Sequence, residues 1–356
     1  MSEEKKGGIE NLEKRISQTT LLVLLTIIVI VFFIFRETDF NSLIHRINLF
    51  YLLLLTLCLF AVWFFNGVKL YLVVKLSGGK IRFRKSIEIM FASIFGSNIT
   101  PFYSGAIPTQ VYFLSKFAES VGRSTAISVI YMILTLIVYL VFSVILLITP
   151  HQFISGGRNA FFMSLAIFVF VFSFFAFFFM KYPKKIKRVI EFVSKKIAKE
   201  KFDPSSLEHS IDEFSEGLAL FFSTNKLLAI ATLFIAFVSQ SFFLMLTPLS
   251  FKALSISAPF KEIILTQIAM QFTTSIGATP GGIGIMDAAF AAFFKPLAPH
   301  TIAQLTFLYR MISFYIPTFM GGLFFYKLLR EEKAFQQQIK SSNRDNDTLN
   351  NPTKSI

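Results

Sequence analysis

The sequence predicts an all-α polytopic membrane protein, with about six full spans and two re-entrant broken helices in an inverted-topology repeat. Three observations predict it. First, 54% of the 356 residues are hydrophobic, Phe occurs 47 times and the mean hydropathy is +0.63, outside the soluble globular range. The apolar segments are hydrophobic on all faces, and a soluble chain of this size has too little interior to hide so many of them. Second, two long apolar stretches, SIFGSNITPFYSGAIPTQVYFL and TTSIGATPGGIGIMDAAF, are each broken by a Thr-Pro and glycines, at Thr100-Pro101 and Thr279-Pro280. Third, Lys and Arg are distributed very unevenly among the connecting segments.

A helix needs about 20 apolar residues to cross the hydrocarbon. Residues 1–18 read as a cytoplasmic N-terminal tail. A first membrane repeat, 19–150, holds spans at 19–35, 49–74 and 124–149 and the broken segment 86–114. Basic residues flank the first span on both sides and no small-residue cleavage site follows it, so it reads as a retained span. A second repeat, 151–330, holds spans at 159–180, 226–248 and 303–329, cytoplasmic basic helices at 183–222 and the broken segment 263–294. Within the basic region, residues 184–199 set five β-branched residues on one helical face and Lys and Arg on the other. That pattern suits either an anionic membrane surface or a neighbouring helix. Ser205 to Glu208 has the form of a capping box. The polar tail 331–356 reads as disordered and cytoplasmic.

Pro lacks a backbone donor and Gly weakens a helix, so neither broken segment is expected to cross as a plain rod. Backbone left unpaired at membrane depth must be buried in protein or line a wet cavity. The positive-inside rule then orients the chain. With each broken segment entering and leaving on one side, 27 of the 35 Lys and Arg fall on the cytoplasmic side and 6 on the other, while Lys69 and Arg310 lie within spans. Both termini come out cytoplasmic, and the first break dips in from the cytoplasm, the second from outside. A shift of 179 superposes Thr100-Pro101 on Thr279-Pro280 and Gly105 on Gly284. The net charge of +14 is mostly cytoplasmic-side charge, which anchoring to anionic lipid headgroups explains without nucleic acid.

The chemistry-bearing motifs are few. Cys58 is the lone cysteine, and His45, His151, His209 and His300 are scattered, so no disulfide, metal site or cofactor is expected. Gly78-Gly79-Lys80 is followed by Ile81 and lacks the spacing of a phosphate loop, and no catalytic motif is found. Polar residues at membrane depth are the default candidates. The first broken segment offers Asn98, Thr100, Ser104, Thr109 and Gln110; the second offers Gln267, Gln271, Thr273, Thr274 and Asp287. The spans add Asn66, Lys69, Tyr131, Tyr139, Gln240 and Arg310. Asp287 and Arg310 each cost about 2.5–3.5 kcal/mol at a helix centre on insertion scales, so each wants a partner. They would pair if the last span packs on the second break, either as a helix clamp or as part of a site.

At these residues the chain resembles a known family. TPGGIGIMDAAF, with Thr279, Pro280, Gly281, Gly282, Gly284 and the acid Asp287, is similar to the second signature of the lysylphosphatidylglycerol synthase transmembrane, or flippase-like domain, family. Thr100, Pro101, Gly105, Pro108, Gln110, Tyr112 and Lys116 match the first signature of one bacterial branch, with Ala106 departing from its second Gly. Arg310 in LYRMISFYIP matches a recurring Tyr-Arg, and the resemblance covers about 20–330. It implies a stand-alone flippase-like module in the plasma membrane that moves a polar lipid or lipid-linked headgroup between leaflets, and it argues against a synthase. Membrane phospholipid or a lipid-linked substrate is the implied ligand. A membrane subunit presenting lipid to a separate aminoacyl- or glycosyl-transferase is the alternative, and a synthase partner or homo-oligomer is open. The residues carried over as substrate or translocation candidates are Asn98, the first-signature set, the second-signature set and Arg310.

Overall fold

In a computed structural model, residues 46–149, 204–273 and 278–350 are described. The expected spans 19–35 and 159–180, the N-terminal tail, the amphipathic stretch 184–199 and Thr274 lie outside them. The described residues form helices and turns without a strand. In order they are α1 Leu49–Leu76, α2 Phe83–Asn98, a 3₁₀ turn Pro101–Tyr103, α3 Ala106–Phe117, α4 Val121–Ile148, α5 Pro204–Ser223 and α6 Lys226–Ala253. There follow α7 Phe260–Thr273, a second 3₁₀ turn Pro280–Gly282, α8 Ile285–Phe294, α9 Ile302–Arg310, a π turn Met311–Tyr315 and α10 Ile316–Asn350.

Local chemistry sets the ends. The Asn48 side chain accepts from the Phe50 and Tyr51 amides and starts α1; Asn225 does the same for α6 through the Leu228 amide. Lys75 and Lys252 stand in the last turns of these helices, where the dipole favours cations. α5 opens at Pro204, one residue before the expected cap, as suits a residue without an amide to satisfy. α6 runs through Pro248 to Ala253, past the predicted end. α10 carries helix on to Asn350, where the composition pointed to disorder; its Glu, Lys, Gln and Ala are good helix formers, and propagating an existing helix is easier than starting one.

Among the described residues, four helices are long and apolar enough to cross a membrane: Leu49–Leu76, Val121–Leu146, Lys226–Ala253 and Ile302–Ala334. They are the expected spans at 49, 124, 226 and 303. Leu53, Leu57, Phe60 and Phe64 make an exposed apolar stripe on α1, and Leu227, Ile230, Phe234 and Phe237 make one on α6. Such stripes suit acyl chains better than water.

α1 packs along α6, with Cys58 Sγ 3.0 Å from the Phe242 carbonyl and Phe65 stacked on Phe242. α2 packs along α10, where a Cβ on Gly321 would come 2.5 Å from the Phe91 carbonyl. The small side of α10 thus lets two backbones approach closely. Lys85 bridges Glu88 at 2.8 Å and Glu331 at 2.5 Å, and Lys327 also meets Glu88, which ties the start of α2 to α10.

The broken helices have similar form. α2 and α7 each lead into a Thr-Pro turn, from which α3 and α8 leave. The turns correspond residue by residue at the shift of 179: Thr100 and Thr279 are extended, and Phe102 (φ 54°) and Tyr103 (φ 55°) match Gly281 (φ 60°) and Gly282 (φ 62°). The surrounding order recurs too, with helices starting at Leu49, Phe83, Ala106 and Val121 and again at Lys226, Phe260, Ile285 and Ile302. The two turns touch: the Tyr103 hydroxyl donates to the Gly281 carbonyl at 3.0 Å.

A candidate headgroup cavity at the meeting of the two breaks

Beside this contact lies a cavity of about 420 Å³. α1 contributes Trp63, Asn66 and Lys69; α2 and its turn contribute Ser97, Asn98 and Tyr103. α4 contributes Tyr131, Thr135 and Tyr139, and α6 and α7 add Gln240 and Gln271. The last span adds Tyr309, Arg310, Ser313 and Phe314. The wall is therefore rich in hydroxyls and amides and holds two cations, with no carboxylate among its lining residues.

The first cation is Arg310, 5% exposed. Its Nε lies 2.8 Å from Asp287 Oδ1, off the N–H direction, so the contact is one of charge more than an aligned hydrogen bond. Its Nη2 donates to the Gly281 carbonyl at 3.4 Å, and the guanidinium lies 4.3 Å from the Phe314 ring centroid. The other oxygen of Asp287 accepts from the Gly284 amide at 2.8 Å, which closes the first turn of α8. Gly281 thus receives Tyr103 from one break and Arg310 from the last span. The pair anticipated from the sequence forms, but Arg310 faces the cavity while Asp287 stands behind it at the head of α8.

The second cation is Lys69, 1% exposed. Its Nζ donates to Thr135 Oγ1 at 2.8 Å and sits 3.7 Å from the Tyr131 ring centroid. Tyr131 in turn donates to Asn66 Oδ1 at 3.0 Å. Asn66 and Lys69 fall three apart on α1, and Tyr131, Thr135 and Tyr139 four apart on α4, so each set shares a face. That spacing was legible in the sequence as two polar stripes on apolar spans. The sequence shows Lys69 as an intramembrane charge but singles out Asp287 and Arg310.

The signature residues divide. Asn98 lines the cavity and donates to Thr318 Oγ1 at 2.7 Å. Thr100 builds its turn, donating to the Gly96 carbonyl at 3.0 Å and accepting from the Gly105 amide at 2.7 Å. Pro101 and Pro280 open the two turns, and Thr279 donates to the Ile283 carbonyl at 2.8 Å. A Cβ on Gly105 would overlap the Gly96 carbonyl. Gly282 has its missing Cβ 2.9 Å from the Tyr103 hydroxyl, and both Gly282 and Gly284 hold positive φ. Pro108 is exposed in the first turn of α3 and Gln110 is buried beyond it. Tyr112 and Lys116 do not reach the cavity. They meet Glu332 of α10, at 2.6 Å from the tyrosine hydroxyl and 3.2 Å from the ammonium. Helix α3 carries them away from the break at 1.5 Å per residue, which sequence adjacency conceals. Gln267 braces the wall from outside, between Thr247 and the Tyr309 hydroxyl, at 2.8 Å each.

Comparison with known proteins places the chain. The family model described as "Lysylphosphatidylglycerol synthase TM region" matches residues 20–321. A UPF0104 membrane protein of Archaeoglobus fulgidus is 24% identical over 331 residues, covering 90% of this chain and 100% of the relative. UPF0104 membrane proteins of Methanocaldococcus jannaschii and Pyrococcus horikoshii are 25% and 26% identical, over 73% and 68% of this chain and 79% and 76% of their own lengths. No solved structure matches. With both signatures, the apolar helices and the match across most of its length, the chain is a multi-pass membrane protein of the lysylphosphatidylglycerol synthase transmembrane-region family.

Proposed function

We propose that this protein moves a polar lipid or lipid-linked headgroup between leaflets, with the cavity as the headgroup's station. One observation carries the reading: a cavity whose wall presents hydroxyls, amides and two buried cations lies beside the contact of the two helix breaks, inside a bundle whose outer faces are apolar. A charged headgroup cannot cheaply enter hydrocarbon, whereas hydroxyls, amides and cations at that depth replace its water while the acyl chains stay in lipid. Breaks in corresponding places of two halves mark transport sites built at a repeat interface. In this reading the two broken segments are re-entrant from opposite faces, as an inverted-topology pair, and both termini are cytoplasmic in the plasma membrane.

Reconstitution into liposomes with a fluorescent lipid and an impermeant quencher tests the movement. Accelerated loss of the protected leaflet signal is expected, and a rate equal to that of empty liposomes would remove the proposal. Topology is tested by single cysteines in a Cys58→Ser background. Lys80→Cys and Val121→Cys should label from the cytoplasmic face, and Lys261→Cys and Lys295→Cys from the other. Labelling of all four from one face would end the opposed arrangement.

A further inference from the structure

We infer that the cavity binds a net-anionic phosphate headgroup and that Lys69 is the residue that selects it. The inference rests on reading the cavity as a headgroup station and goes on to name the chemistry. Arg310 has its counter-charge in Asp287 at 2.8 Å. Among the described residues, the Lys69 ammonium has a neutral hydroxyl as its hydrogen-bond partner and a ring face beside it, and no carboxylate lies within ion-pair distance. Its ammonium carries three donors. Thr135 takes one and the Tyr131 ring engages the charge from a second direction, which leaves donor capacity on a side chain that lines the cavity.

A buried cation without a counter-ion is costly, and the ring face recovers only part of that cost. With Lys69 protonated, the cavity holds one positive charge more than its walls neutralise, counting Asp287 against Arg310. A phosphate monoester or diester supplies the missing negative charge and several acceptor oxygens. Asn98 on the same wall donates one amide hydrogen to Thr318 and keeps a second suited to a remaining oxygen. A headgroup with a net positive charge meets two cations and no carboxylate on the lining, so it is disfavoured. Free phosphate shares the recognised chemistry, but the surrounding apolar helices supply acyl chains with a place that free phosphate does not use.

The only tryptophan of the chain, Trp63, stands in the cavity wall, so its fluorescence reports entry directly. The full chain in a neutral detergent is titrated with dihexanoyl phosphatidic acid, dihexanoyl phosphatidylcholine, a cationic ethyl-phosphatidylcholine and inorganic phosphate. The expected order is phosphatidic acid tightest, about tenfold over phosphatidylcholine, as one charge-assisted hydrogen bond provides, with the cationic lipid weakest. Lys69→Met should abolish this preference and Lys69→Arg should keep it. Lys69→Gln, which keeps a polar side chain without the charge, should also lose the preference, and it serves if Lys69→Met does not fold. A wild-type protein without the preference, or a Lys69→Met protein that retains it, overturns the assignment. Inorganic phosphate binding as tightly as phosphatidic acid overturns the lipid source. The outcome is separable from transport: an anion preference without lipid movement refutes only the flippase reading, and movement without the preference refutes only the anionic-headgroup assignment.

Discussion

The two helix breaks share one backbone but not one set of side chains. At the positions where both turns need a positive φ, the second break places Gly281 and Gly282 and the first places Phe102 and Tyr103. Left-handed backbone costs a residue with a Cβ about 1–2 kcal/mol, and glycine almost nothing. The difference follows from what each turn must do. A Cβ on Gly281 would run into the Phe314 ring and stand 2.9 Å from the Asn98 carbonyl, so the second turn is the one pressed into the bundle. The first turn is the one that reaches: Phe102 is 59% exposed, and the Tyr103 hydroxyl crosses to the Gly281 carbonyl. One break is thus the receiving surface and the other the probe, an asymmetry that their matching Thr-Pro motifs do not reveal.

The largest expected effect tests the receiving side. Gly282→Leu adds a side chain at φ 62° against Tyr103 and Met286, and it should reduce lipid movement at least tenfold, as strain plus overpacking of about 2–4 kcal/mol would produce. Phe293→Leu, on the following helix, should stay within about threefold, the scale of a conservative apolar exchange. Equal tolerance of the two in the liposome assay would show that the second turn is not functionally tight.

Next in size is the ion pair that holds the receiving turn. Arg310 has 6% of its side chain exposed and Asp287 has 23%, so stranding the arginine costs more than stranding the acid. Asp287→Ala should lower stability by about 3 kcal/mol and Arg310→Met by less, since breaking one side of a buried pair leaves the other charge uncompensated. A double-mutant cycle in thermal stability should show coupling of about 1–3 kcal/mol. Additive single effects would mean that the 2.8 Å contact contributes nothing to the fold. Asp287→Asn separates clamp from site. Near-normal stability with lipid movement lost assigns the acid a role in transport, while normal movement with lowered stability reduces the pair to a clamp.

Smaller effects are expected at the probe. Tyr103→Phe removes one hydrogen bond to Gly281 and should cost about 1 kcal/mol in stability. Phe102→Gly relieves a positive φ but frees the unfolded chain, so its stability should stay within about 1 kcal/mol of wild type in a thermal-shift comparison. A large loss at Phe102 would mean that its exposed ring has a packing partner in the membrane.

Much of this was readable beforehand, for reasons specific to each element. Four described helices start within a few residues of their predicted spans because long apolar runs at this hydropathy have one stable state in a bilayer. The breaks fell at Thr100-Pro101 and Thr279-Pro280 because Pro removes a donor wherever it stands. Asp287 and Arg310 were legible as a pair because two opposite charges at membrane depth have little alternative. Tyr112 and Lys116 enter as candidates through the resemblance to the first signature, and the rise of α3 separates them from the break. Lys69 was visible as a charge within a span, but its partners, a hydroxyl and a ring 62 to 66 positions away on α4, were not.

The sequence by itself determined the all-helical class, the positions of the described spans, the two broken segments and the family. Each of these depends on hydropathy, on backbone donors or on short motifs, and those are properties of a residue and its near neighbours. Only the tertiary structure decided that the two turns touch, that Arg310 and not Asp287 faces the cavity, and that Lys69 is left with neutral partners. Those outcomes depend on how α1, α4 and the last span are rotated about their axes when packed. Packing sets that rotation through shape, as at Gly321 and Phe91, and no local rule carries it from one helix to another.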